Sequence, residues 1–184
     1  MRVLFVCTGN TCRSPMAEAL LKQKVTKLQI DAQNSYEIDV DSAGIWKFKN
    51  IPVSPHTVTV LAEYGIECDH IPQGLNQELI TEADLILTMT NFHKFMVLAR
   101  FPASINKTFT FKEFIGERDN INISDPVGKS LSYYRQCAQE INQALEILVS
   151  KLVKIKPENL ANLTPPDLPY TFKVLIWLLR KINL

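Results

Sequence analysis

The first fifteen residues constrain the fold more tightly than any other stretch of the chain. Val3-Leu4-Phe5-Val6 is an unbroken apolar run that reads as a buried strand, and it stops at Cys7. Ser14-Pro15 follows and reads as a helix start, with Ser14 as the cap and Pro15 as the first helical residue, where a missing N–H costs nothing. The short connection between them contains Gly9 and Asn10, the residue types that accept positive φ. Such a loop can curl with its backbone N–H groups pointing inward above the positive end of the helix, which makes a cradle for a phosphate-sized anion. Thr8, Gly9, Asn10, Thr11 and Cys12, with Ser14, form that cradle, while Cys7 brings a nucleophile and Arg13 a two-pronged cation.

A thiol beside a cation and a helix N-terminus is held as thiolate more readily than a free one. The pattern therefore predicts that Cys7 attacks phosphorus while Arg13 holds two non-bridging oxygens and neutralises charge in the transition state. Ser14 is placed to donate a hydrogen bond to the sulfur when it leaves. A small hydrophobe at a strand end is the plainer reading of Cys7, and it does not explain why Gly9, Asn10, Arg13, Ser14 and Pro15 accompany it. The leaving group also needs a proton donor. Asp125, in Ile123-Ser124-Asp125-Pro126-Val127-Gly128, is the candidate general acid. An Asp-Pro with a nearby glycine also serves simply as a turn, or as the cap of the helix beginning near Ser130.

Taken together, the Cys-x5-Arg-Ser loop and the later Asp-Pro resemble the low-molecular-weight protein-tyrosine-phosphatase family. Asp41-Ser42-Ala43-Gly44, the Ala83–Met89 strand and Phe109–Phe114 are similar to that family as well, over about residues 1–154. The resemblance implies Cys7 as nucleophile, Arg13 as phosphate clamp, Ser14 as thiolate stabiliser, and Asp125 as acid and then as base for water. It implies that Asn10 braces the loop, that a cysteinyl-phosphate forms, and that no metal or other cofactor takes part. Two positions depart from the tyrosine-specific members. Thr11 stands where many have a bulky aliphatic residue, and Val127 and Gly128 replace aromatic residues after the Asp-Pro. An aromatic wall would stack on a phosphotyrosine ring, and valine and glycine supply little of one. The loop, with Leu87-Thr88-Met89-Thr90 and His93-Lys94, looks like the bacterial branch that includes protein-arginine phosphatases. The reading therefore leans toward phosphoarginine, with Thr11 giving room and a hydroxyl to a guanidinium-type leaving group. Arsenate reduction and a non-catalytic phosphate-binding module are the alternatives. The first needs a thiol relay that the stretch from Cys68 to Cys137 does not supply, and the second normally lacks the nucleophile or the acid.

The 184 residues carry a formal charge of +1, so there is no bulk electrostatic case for nucleic acid as a partner. Phosphorylated proteins are the expected partners, and the chain is expected to be a monomer or a weak homo-oligomer. Met1-Arg2 leads straight into the first strand, and the chain has four cysteines, which predicts a reducing cytoplasm. Cys12 reads either as a resolving thiol for oxidised Cys7 or as core packing, and Cys68 and Cys137 as packing. None of the three histidines, His56, His70 and His93, lies at ligand spacing from another, and none is assigned a catalytic role.

Strands are predicted at Arg2–Val6, Glu37–Ser42, Asp84–Met89 and Thr108–Phe111. They alternate with helices at Pro15–Leu28, Pro55–Tyr64, Asn91–Arg100 and from about Ser130. This alternation predicts an α/β fold with a four-stranded parallel sheet covered by helices on both faces, of the flavodoxin-like kind that the resemblance also implies. Ligands of such sheets sit at the carboxyl ends of the strands, where Cys7 lies. Trp46 is a candidate for the cleft rim. Residues 1–156 are read as the phosphatase domain and 157–184 as a Pro-containing linker and a short apolar, basic helix over Thr171–Leu184. That helix is too short to span a bilayer. Folding back or self-association is favoured over membrane contact.

Overall fold

Alternate side chains of β1 (Arg2–Cys7) enter two separate apolar layers, Val3, Phe5 and Cys7 on one side and Leu4 and Val6 on the other. The computed structural model describes residues 1–32 and 37–154. In chain order β1 is followed by α1 (Arg13–Ala32), β2 (Asp39–Gly44), α2 (Pro55–Glu63), α3 (Gln77–Glu82) and β3 (Leu85–Thr88). Next come α4 (Asn91–Arg100), a 3-10 turn over Pro102–Lys107, β4 (Thr108–Thr110), α5 (Phe111–Ile115) and α6 (Leu131–Leu152). The strands form one parallel sheet in the order β2-β1-β3-β4.

Helices α1, α2, α5 and α6 supply the larger layer, in which Met16, Leu20, Leu61, Ile141, Leu145 and Leu148 pack on Phe5 and Leu87. Helices α3 and α4 supply the smaller one through Ile80 and Val97. The stripe predicted for the last helix (Tyr134, Ala138, Ile141, Leu145, Leu148 and Leu152) is buried throughout. The four predicted strands are all present within two residues at each end. Two short helices, α3 and α5, escaped the sequence reading because they are too brief to show a 3.6-residue period. The predicted linker and helix over 157–184 lie outside the described residues, as does any contact they make.

One cap reads differently from its sequence. Helix α1 begins at Arg13, so Ser14 is inside its first turn rather than before it. Pro15 is still tolerated there, because the first four N–H groups of a helix have no intrahelical partner. At α2 the cap position is Ser54 as read, with no capping hydrogen bond from its side chain; the hydroxyl donates to Tyr134 Oη at 3.1 Å instead.

A part-buried ion pair, with Lys94 the deeper partner, joins the two faces of the sheet's far edge. Lys94 Nζ donates to both carboxylate oxygens of Glu113, at 3.0 and 2.8 Å. The same carboxylate closes a capping box with Thr110 at the start of α5. Lys94→Ala would leave the part-buried Glu113 carboxylate without its cation, at a cost below the roughly 3–5 kcal/mol of a fully buried pair. Chemical denaturation should show that loss, and Lys94→Met combined with Glu113→Gln should recover most of it.

Candidate active site

Strand β1 has β2 on one side and β3 on the other, so the chain's path along the sheet reverses at the carboxyl end of β1. Cys7 is the last residue of β1, and the loop of residues 8–12 carries the chain from it into the N-terminus of α1. The 20-residue helix aims its positive end at that loop.

Cys7 Sγ accepts a hydrogen bond from Asn10 N at 3.3 Å and lies 3.0 Å from Ser14 Oγ. Asn10 takes the left-handed conformation, φ 57°, and is fully buried. Its amide nitrogen donates to Ser14 Oγ at 2.9 Å and to Ser42 Oγ at 2.7 Å. Its carbonyl oxygen accepts from Gln73 N at 2.8 Å and stands 2.9 Å from His70 Nε2. Ser42 donates to Glu18 at 2.6 Å, and Glu18 lies 3.3 Å from His70 Nδ1, so the four side chains close a ring behind the loop. Burial pushes the Glu18 carboxyl up, but hydrogen bonds from His70, Lys22 and Ser42 outweigh that and hold it below its ordinary value. Gly44 lies against the loop, and a Cβ there would meet Gly9 C at 2.8 Å and Asn10 N at 3.0 Å. Bare backbone is required at this contact.

Arg13 is buried, and its Nη2 donates to Asp125 Oδ2 at 2.6 Å and to Thr8 Oγ1 at 3.4 Å. Asp125 uses its other oxygen, Oδ1, to accept from Val127 N at 3.1 Å. The turn expected at Asp-Pro is thus made through Oδ1, while Oδ2 faces Arg13. A cavity of about 380 Å³ opens between Thr8, Arg13, Asn91, His93, Asn122 and Asp125. Phe92 lines it, with the Trp46 ring 6.3 Å away between centroids, and Phe48 lies against Gly9 on the loop. Trp46 is anchored to the loop by its backbone N–H, which donates to Thr8 O at 3.1 Å.

Of the residues expected at the site, the structure gathers Cys7, Thr8, Gly9, Asn10, Arg13, Ser14 and Asp125 around one loop. Cys12 faces the α2–α6 side, while Thr11 Oγ1 stays on the loop, 4.0 Å from where a Cβ on Gly9 would stand. Cys12 Sγ lies 3.4 Å from Tyr134 Oη and 3.5 Å from Thr11 Oγ1. Burial and the Cys12 contact push the Tyr134 phenol up to about 12. Burial likewise pushes the Cys137 thiol up to about 12, as suits a packing residue. All four cysteines are free. Among the described residues no group of three or more His, Cys, Asp or Glu side chains is gathered to hold a metal, and no helix is long and apolar enough to cross a membrane.

Two histidines were passed over in the sequence because their partners are remote along the chain. His70 braces Asn10 from 60 residues away. His93 Nε2 lies 2.9 Å from Thr8 Oγ1, 85 residues distant, and its Nδ1 lies 3.0 Å from Thr90 Oγ1. The dipeptide Thr90-Asn91 before an apolar helix was the one local signal for His93, as a cap.

The model of the family described as low molecular weight phosphotyrosine protein phosphatase matches residues 2–158. A protein-arginine-phosphatase of Geobacillus stearothermophilus is 42% identical over 82% of this chain and 95% of its own length. A probable low molecular weight protein-tyrosine-phosphatase of Ralstonia nicotianae is 34% identical, over 82% of this chain and 94% of the relative. A solved arginine phosphatase, a cysteine-to-serine mutant with its active-site serine phosphorylated, superposes with a TM-score of 0.76 at 37% identity, covering 85% of this chain and 98% of that one. The chain belongs to the low molecular weight phosphotyrosine protein phosphatase family. It is an enzyme, a phosphoprotein phosphatase.

Burial first, and the Arg13 charge second, pull the His93 imidazole down to about 4, with Asp125 opposing in part. Between pH 6.5, the ordinary value, and pH 4 the unfolded chain therefore takes up a proton that the folded chain refuses. His93 should cost the fold stability as pH falls through that window, by about 3 kcal/mol at most. Urea midpoints across it should flatten in His93→Gln relative to wild type.

Proposed function

We propose that this phosphatase works through Cys7, Arg13, Ser14 and Asp125, with phosphoarginine in proteins as its preferred substrate. The hydrogen bonds that converge on Cys7 Sγ, from Asn10 N and beside Ser14 Oγ, carry the reading, because they solvate a sulfur that must be both nucleophile and leaving group. Arg13 exchanges its Asp125 partner for two phosphate oxygens when substrate arrives. Cys7 then forms an S–P bond as the bond from phosphorus to the leaving group breaks, and protonated Asp125 gives its proton to that group. In the second step Asp125 takes a proton from water as the water oxygen attacks phosphorus. The S–P bond breaks, inorganic phosphate leaves, and Ser14 and Asn10 receive the thiolate. Asn10 holds the loop in shape throughout.

Support for phosphoarginine comes from the site's walls and from the relatives. Val127, exposed beside Asp125, and Gly128 provide no ring-stacking wall on the acid's side. Asp125 is half-exposed and can face a cationic guanidinium as well as Arg13. The 42%-identical relative bears the arginine-phosphatase name, although the family includes tyrosine phosphatases too. A thiolate nucleophile needs a reducing compartment, which supports a cytoplasmic setting.

Wild type should show higher kcat/KM on phosphoarginine peptides than on matched phosphotyrosine peptides. Thr11→Ile should lower the former by about tenfold or more while sparing the latter, and Cys7→Ser should turn over neither. A wild-type preference for phosphotyrosine would transfer the substrate assignment and leave the chemistry in place.

A further inference from the structure

We infer that His93 is a positioning residue for Arg13: it holds the Thr8 hydroxyl so that the hydroxyl oxygen faces the guanidinium as an acceptor. The inference rests on Arg13 being the phosphate clamp and adds the group that aims it.

A guanidinium has donors only, so in the contact between Arg13 Nη2 and Thr8 Oγ1, at 3.4 Å, the hydroxyl must accept. Its one proton is then free for a second partner. His93 Nε2 is that partner at 2.9 Å, and it can take the proton only if it carries none itself. The ring's other nitrogen fits this tautomer. Nδ1 sits 3.0 Å from Thr90 Oγ1, the oxygen that also accepts from His93 N at 3.2 Å as the cap of α4, so a proton on Nδ1 has an acceptor in place. Electrostatics favours the same choice, since the bare nitrogen is the negative end of a neutral imidazole and it faces the buried Arg13 cation. The low proton affinity of His93 keeps the ring uncharged at neutral pH. A second cation there would repel Arg13, and with Nε2 donating, the hydroxyl proton would lose its partner and no longer fix how the oxygen faces the guanidinium.

Nothing about the ring is adjustable. His93 is buried at 1% exposure and is fixed at both nitrogens, with α4 behind it. Arg13, by contrast, must release Asp125 to take phosphate. A fixed acceptor from Thr8 on the same Nη2 keeps the guanidinium in plane while its other partner changes. The chain His93–Thr8–Arg13 therefore pre-sets the clamp before the anion binds.

The test uses the full chain, inorganic phosphate as the binding probe and para-nitrophenyl phosphate for turnover. His93→Leu and Thr8→Val should each lower kcat/KM and weaken phosphate binding by about tenfold, the scale of one lost hydrogen bond to a charged group. The double variant should lose no more than either single one, because both remove the same link. His93→Gln, whose carbonyl can accept from Thr8, should recover most of the loss. Imidazole nitrogen NMR of the wild type should find Nδ1 protonated and Nε2 bare. Multiplying losses in the double variant, unchanged phosphate binding in His93→Leu, or a proton on Nε2 would each overturn the inference. A wild type that bound phosphate with this coupling yet hydrolysed nothing would instead overturn the catalytic reading and leave the positioning one standing.

Discussion

A fully buried asparagine in the left-handed conformation ties the phosphate loop to the rest of the molecule. Asn10 reaches Ser14 at the start of α1, Ser42 on β2, and His70 and Gln73 in the segment before α3. Its side chain has two donors and one carbonyl, and all are used. A loop with no regular structure of its own is thereby held as firmly as an element of the sheet. Among the described residues no buried side-chain nitrogen or oxygen is left unpaired. In a site this polar, that completeness is what keeps the desolvation of Arg13, Glu18 and His93 from unfolding it.

The sheet order decides what else can reach the loop. With β1 central, residues following β2 and β3 arrive from opposite sides at the carboxyl end where Cys7 lies. The β2 side delivers Gly44, whose bare backbone lets the loop close, and then Trp46, whose ring meets Phe92. The β3 side delivers Thr90 and His93 at the head of α4. Asp125 comes in later, on the connection between α5 and α6, held near β3 by Ile123 N donating to Met89 O at 2.8 Å. Three parts of the chain far apart in sequence thus face one anion-sized space, each placed by a strand end or the loop after it.

The fold was readable because its signals are local. Val3–Val6 is apolar without a break, α4 is bounded by Thr90 and Phe101-Pro102, and the stripe on α6 keeps its period for the whole helix. The loop was readable for the same reason, since Cys7, Gly9, Asn10, Arg13 and Ser14 fall within eight residues. Where the reading slipped, a side chain had a distant competitor for its hydrogen bond. Ser14, read both as a cap and as a partner for the sulfur, lies inside the first turn of α1 with its hydroxyl 3.0 Å from Cys7 Sγ. Ser54 stands at a cap position but gives its proton to Tyr134. Both cap assignments follow a sound local rule that a tertiary partner overrides.

Taken alone, the chain's sequence determined the strand–loop–helix unit, the chemistry it carries, and the parallel sheet that presents it. These depend on residues adjacent in the chain or on a regular period, which one dimension can record. Only the tertiary structure decided which groups orient that chemistry: His70 and Glu18 behind Asn10, His93 behind Thr8, and Asp125 paired with Arg13. Each is a hydrogen bond or ion pair of about 3 Å between residues 60 or more apart, His70–Glu18 excepted at 52. No pattern along the chain encodes a distance of that kind until the sheet has brought its ends together.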